Sequence, residues 1–255
     1  MADKDGKDIK GRKGSSAQSA VNVPEGLVKS VVDLVETGPV ELGAYTEAEL
    51  TAVDAIVDFL VARPSDEVLA EAVRSLAARK LLVAADGAEQ VEVRGDLGIA
   101  AAFQQRARMV LDARVTGTEP GEPWRVLLLP QPEKICLRFC VDALGVHEIG
   151  LYDLDEALGL LAGWLPAGDR ADPDPELDAD QLLASADRSA LLTLTRYTTQ
   201  GSAETAGSST DLALARRDGH LYVLTRDPDD RARLVPRPDD GQDVRDLIAD
   251  LLDGR

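Results

Sequence analysis

Between Trp124 and Leu165 the chain reads WRVLLLPQPEKICLRFCVDALGVHEIGLYDLDEALGLLAGWL, and this stretch limits the possible folds more than any other. An apolar run, a turn at Pro130 to Glu133, a second apolar run and a turn at Gly145 lead into an amphipathic segment. Short apolar runs bounded by Gly and Pro read as strands. Asp153 supplies a helix N-cap with Glu156 at the box position, and Leu154, Leu158, Leu161 and Leu165 then fall on one helical stripe. A strand meander closed by a helix calls for a helix layered on a sheet.

The layout has a hairpin before it and recurs after it. Met109–Val115 alternates and is answered by Trp124–Leu129 across TGTEPGEP. Further on, Ala190–Thr198 alternates, a Gly/Ser/Thr loop spans Thr199–Thr210, and Asp211–Arg216 pairs back. Asp218-Gly219 is a tight hairpin turn, His220–Arg226 and Ala232–Val235 add strand, and GQDVRDLIADLL closes with Val244, Leu247, Ile248, Leu251 and Leu252 on one stripe. The copies lie roughly eighty to ninety residues apart, beyond the period of solenoid repeats. The expectation is an α+β fold, an antiparallel sheet with helices on one side, internally duplicated with quasi-two-fold symmetry and preceded by a small helical region.

That region begins after a tail, residues 1–20, with almost nothing to bury, which reads as a disordered basic tail carrying Lys4, Lys7, Lys10, Arg12 and Lys13. Residues 21–105 read as helices with one small hairpin. Pro24 opens a helix with Leu27, Val31, Leu34 and Val35 on one face, and Gly38 stops it. After a Gly/Pro-bearing link, Thr46 and Glu49 form a capping box for a helix running to about Val61. Pro64-Ser65 starts the next, with Leu69, Ala72, Val73 and Leu76 inward. Leu81–Ala84 and Gln90–Arg94 flank the turn Asp86-Gly87, and Asp96–Arg108 is helical again. The first sheet-plus-helix unit then covers 106–166. Residues 167–255 hold the acidic connection LPAGDRADPDPELDAD, a short helix at Gln181–Ala186 and the second unit.

Two helices followed by a hairpin also outline a winged helix, hence the alternative of a transcriptional regulator with an acidic C-terminal effector or dimerisation domain. Its recognition helix would be DEVLAEAVRSLAARK, where Arg74, Arg79 and Lys80 stand against Asp66, Glu67 and Glu71 with no side chain suited to base edges. A formal charge of −18 opposes phosphate backbones and anionic surfaces, so nucleic acid is disfavoured as a partner. Neither a spanning apolar segment nor a secretory signal core occurs, which gives a cytoplasmic, non-membrane expectation. Only 4% of residues are aromatic, so the core must be Leu, Val and Ala.

Chemistry is sparse. Cys136 and Cys140 would share one strand face roughly 13 Å apart at about 3.3 Å per residue, too far for a disulfide. A zinc site would need both with His147 and a fourth ligand, but no paired CxxC occurs and the other histidine is His220. Both thiols read as small buried hydrophobes and both histidines as sheet residues. GxGxxG and a P-loop lysine are missing, GSAETAGSS is a hairpin-loop sequence, and the acidic runs ADPDPELDAD and RDPDDRAR lack calcium-loop spacing. The reading is of a non-enzymatic protein without catalytic, cofactor or metal residues.

From about Gly43 to Arg255, the leading helical region, the segment SLAARKLLVAADG, an intervening helix and two successive hairpin-plus-helix units resemble the EspG family, the cytosolic secretion-associated chaperones of actinobacterial type VII (ESX) systems. The resemblance implies a quasi-two-fold α+β fold and the binding of helical secretion substrates of the PE/PPE or WxG type, with an apolar tip shielded. The basic tail and the helix at Pro24–Glu36 depart from the family pattern. The long loops Thr116–Pro123 and Thr199–Thr210 are the candidate contact elements, because long hairpin loops in compact domains are often functional. A homodimer remains an open alternative.

Overall fold

The computed structural model describes residues 23–53, 64–84, 91–172, 178–200, 203–230 and 232–254, with backbone alone at 198–200 and 203–206. The expected tail, the helix beyond Val53 and the turn Asp86-Gly87 lie outside the described residues. The first described elements are helix α1 (Glu25–Val35), strand β1 (Val40–Thr46), helices α2 (Glu47–Ala52) and α3 (Asp66–Ala78), the small hairpin β2 (Leu82–Ala84) and β3 (Val91–Val93), and helix α4 (Gly95–Arg106). Strands β4 (Met109–Thr116), β5 (Arg125–Pro130), β6 (Ile135–Val141) and β7 (Val146–Asp153) precede helix α5 (Leu154–Trp164). After β8 (Asp169–Arg170) and α6 (Ala179–Ser185) come β9 (Arg188–Gln200), β10 (Ala203–Arg217), β11 (His220–Arg226), β12 (Leu234–Arg237) and helix α7 (Val244–Asp253).

The fold is α+β. One sheet of ten strands runs β1-β7-β6-β5-β4-β9-β10-β11-β12, antiparallel except where β8 joins β11 in parallel. Its centre is the β4–β9 ladder from Met109↔Arg196 to Thr116↔Ser189. From that seam outward, each side reads strand, hairpin partner, third strand, fourth strand, and then a helix, α5 or α7. The two units therefore share one continuous sheet.

Why these residues make these elements is local. Thr46 accepts from the Glu49 amide and Glu49 reaches back to the Thr46 amide at 3.0 Å, the reciprocal cap read from sequence. Asp153 accepts from the amides of Asp155 and Glu156, and Asp243 from that of Asp246. Asp218 and Gly219, both with positive φ, form the two-residue turn that joins β10 to β11.

Helices cover both faces, which corrects the expectation of one. Strand side chains alternate, so Val126 and Leu128 enter a front core with α5 and α7, while Leu127 and Leu129 enter a back core with α1 and α4. The signal lay in RVLLLP and ICLRF, whose near-continuous apolar runs belong to strands buried on both faces. Two stripe assignments also shift: Leu34 of α1 and Val73 of α3 are exposed, and the burial falls on Val31 with Val35 and on Ala72 with Leu76. The Gly/Pro-bearing link before Thr46 is strand β1, paired to β7 through a bulge at Glu41/Gly43. The acidic connection contains β8, and Pro236 sits in edge strand β12.

Candidate functional site

The candidate loop Thr199–Thr210 is strand at residues 199–200 and 203–210. It forms most of a two-stranded ribbon in which Ala203↔Gln200, Glu204↔Thr199, Thr205↔Thr198 and Ala206↔Tyr197 continue the β9–β10 ladder, with a bulge between Ala206 and Ser209. The flanking strands do not follow it. On one side β4 ends its pairing at Met109↔Arg196, with one further bond of 2.9 Å from the Tyr197 amide to the Arg108 carbonyl. On the other, β11 pairs β10 only from Leu212 onward. Among the described residues, the outer part of the ribbon is laddered only to itself, and Gly207 to Thr210 are exposed. Its sequence hid this, because Gly, Ser and Thr read as loop while antiparallel pairing is supplied by the partner strand.

The ribbon is anchored where it leaves the sheet. Thr193 of β9 donates its hydroxyl to Asp211 of β10 at 2.8 Å, and the Arg226 guanidinium holds the other Asp211 oxygen at 2.8 Å. Thr193 stands opposite Asp112 of β4, which binds buried Arg125 through both its oxygens (2.8 and 2.9 Å). A row of paired polar groups thus crosses β5, β4, β9, β10 and β11. From the other face, Arg196 donates to the Leu252 carbonyl at 2.6 Å and satisfies the end of α7. With both faces tied at its root, the ribbon is a stiffly based arm.

The second candidate loop, Thr116–Pro123, has a different fate. Arg188, largely buried, donates to Glu122 at 2.8 Å, to the Gly117 carbonyl at 3.3 Å and to the Trp164 carbonyl at 2.8 Å. The Trp164 indole donates to the Pro123 carbonyl. Gly117 has φ +73°, and a Cβ there would lie 2.3 Å from the Asp187 carbonyl, so no other residue fits. The Arg188 hydrogen bond holds the Glu122 carboxyl below the usual carboxylate range. This loop is a clamp across the front of the sheet.

The remaining sequence candidates stay apart. His147 is on β7, buried, with Nδ1 3.1 Å from the Gly145 carbonyl, and burial pushes its pKa down. His220 opens β11 on the far side of the seam. Cys136 is fully buried and its thiol is pushed up to about 12 by desolvation, while Cys140 is half-buried and raised for the same reason. Among the described residues no group of three or more His, Cys, Asp or Glu converges, and no helix is long and apolar enough to cross a membrane. On α3, Arg74 pairs with Glu71, and Arg79 pairs with Glu49 at 2.7 Å and lies over the Tyr45 ring. An open groove of about 560 Å³ between α1, β3 and α4 is lined by Leu27, Val93, Ile99 and Ala102, with Glu92 and Arg94 paired at its rim.

No known protein family matches this chain, and no curated protein is found to match it either.

Proposed function

We propose that this chain is a non-enzymatic, cytoplasmic adaptor or chaperone that holds a helical protein partner, in the manner of the ESX secretion-associated chaperones its sequence resembles. The observation that carries the reading is the β9–β10 ribbon, an arm of small side chains projecting from a sheet whose own edges and faces are largely occupied. Small residues let a partner's larger side chains lie close to the arm, and its double anchorage at Asp211 and Arg196 keeps it positioned before contact, which lowers the ordering cost of binding. The negative charge of the chain suits a protein that must stay in solution while holding a partner.

The two sheet halves are proposed to descend from one duplicated unit. Their strand order from the seam supports this, as do the caps Asp153 and Asp243, and the matching buried positions Ala157, Leu158, Leu161 and Leu247, Ile248, Leu251.

Affinity purification of the full chain from its own host, with mass spectrometry, tests the adaptor reading. Recovery of small helical proteins of the PE/PPE or WxG kind supports it. A bound metabolite in the native mass with no stable protein partner overturns it.

A further inference from the structure

We infer that the outer edge of β10, from Glu204 to Ser209, is a strand-addition site for an extended segment of a partner protein that carries lysine or arginine. The inference rests on the protein-binding reading above and adds how the partner is gripped.

Backbone polar groups of a strand alternate between its two edges. Tyr197 donates its amide to Arg108, away from β10, so its cross-strand partner Ala206, and Glu204 two residues on, turn theirs to the opposite, outer edge. Past the bulge, Arg217↔His220 is the hydrogen-bonded pair that closes the two-residue turn Asp218-Gly219. Odd-numbered residues of β10 therefore face the β11 side, and Ser209 does so beyond the point, Leu212, where β11 stops pairing. Three amides with their neighbouring carbonyls thus share an edge with no strand on it among the described residues.

The outermost strands of the sheet, β1 and β12, are blunted. Strand β1 carries a bulge and packs against α2 and α4, and β12 carries Pro236. The ribbon has neither a proline nor a lysine between Thr198 and Thr210, where Glu204 is the sole ionisable side chain. Edge geometry selects the occupant. A row of alternating donors and acceptors is satisfied by another extended chain, whereas a helix has already used its own backbone groups internally. Charge selects further, because a chain at −18 attracts a basic segment and repels a second copy of itself.

The test uses the full chain, isotopically labelled, and a short probe peptide of alternating Thr and Val with a lysine pair at each end. A second peptide has alternate backbone nitrogens methylated along one edge. The expected result is saturable binding that slows hydrogen exchange at Glu204, Ala206 and Ser209. Methylation, and separately Ser209→Pro, should each weaken binding by about tenfold or more, as lost edge hydrogen bonds require. The methylated peptide gives this comparison without any change to the protein. No binding, equal binding of both peptides, or protection confined elsewhere overturns the inference. Protection of the same amides in the protein alone, rising with its concentration, overturns it in favour of self-pairing. Host partners retained equally by wild type and a folded Ser209→Pro variant sink strand addition and leave the adaptor reading standing. Peptide binding without any host protein partner does the reverse.

Discussion

The two halves of the sheet match on one face and differ on the other. In front, α5 and α7 lie side by side over one core that crosses the seam, from Cys136 and Val126 through Leu111 and Leu192 to Leu214 and Val223. Behind, the first half is covered by α1 and α4, which bury Phe103 against Leu127, Leu137, Phe139 and Ile149. Among the described residues, the second half has only the short α6, whose Ala179 and Leu182 meet Ala213, Ala215 and Leu224. Where the cover is thin, β9 and β10 run on past their neighbours as the ribbon. The front is thus the shared scaffold, while at the back the first half is thickly covered and the second thinly.

The largest expected effect separates the two back faces. Phe139→Ala should cost about 3–5 kcal/mol in urea denaturation, the usual range for an aromatic deletion in a core that cannot close around it. Leu224→Ala in the smaller cluster should lie near the low end of Leu→Ala values, about 2 kcal/mol, because its small neighbours and short helix can relax. Equal costs would break the asymmetry.

A pH effect of intermediate size belongs to the first half alone. Cys136 keeps its proton in the fold until about pH 12, whereas an unfolded thiol loses it near pH 8.5 or so. A raised pKa means stability fully present below the unfolded value and lost as pH rises through that window, at about 1.4 kcal/mol per pH unit. Urea midpoints should therefore fall between about pH 9 and 11, and Cys136→Ala should flatten that slope while lowering the midpoint at neutral pH. The same slope in the variant would show that other alkaline groups carry the effect.

The next prediction concerns the matching face. Asp153→Ala and Asp243→Ala each remove a carboxylate that accepts from first-turn amides, and each should cost about 1 kcal/mol. The two values should agree within about 0.5 kcal/mol, the scatter of additive surface effects. A clear inequality would mean the front helices are not equivalent.

Much of the front was legible in the sequence because its signals are local. Leu154, Leu158, Leu161 and Leu247, Ile248, Leu251 announce their stripes at helical spacing, and Asp153 announces where its helix begins. The back was less legible because its cover comes from distant residues, so nothing in β5 says which helix will lie on Leu127. The turn-rich candidates failed for the same reason. Whether TGTEPGEP is clamped depends on Arg188, sixty-six positions from Glu122. Whether TTQGSAETAGSS is loop or strand depends on a partner strand across the hairpin. Composition describes what a segment tolerates, and long-range pairing decides what it becomes.

The smallest stability effect is expected at the ribbon, and it sharpens the comparison most. Replacing residues 199–204 by Asn-Gly joins Thr198 directly to Thr205, which already face one another, and a two-residue turn of this type matches strand twist. The anchors Thr193, Asp211 and Arg196 lie outside the replaced segment and stay in place. Thermal and urea unfolding should therefore change by no more than about 0.5 kcal/mol, as for surface changes away from packed or paired groups. If the arm exists for contact, the same shortened protein should lose its host partner while keeping its fold. Destabilisation well beyond that margin would make the ribbon part of the scaffold, and the difference between the two back faces would then concern packing alone.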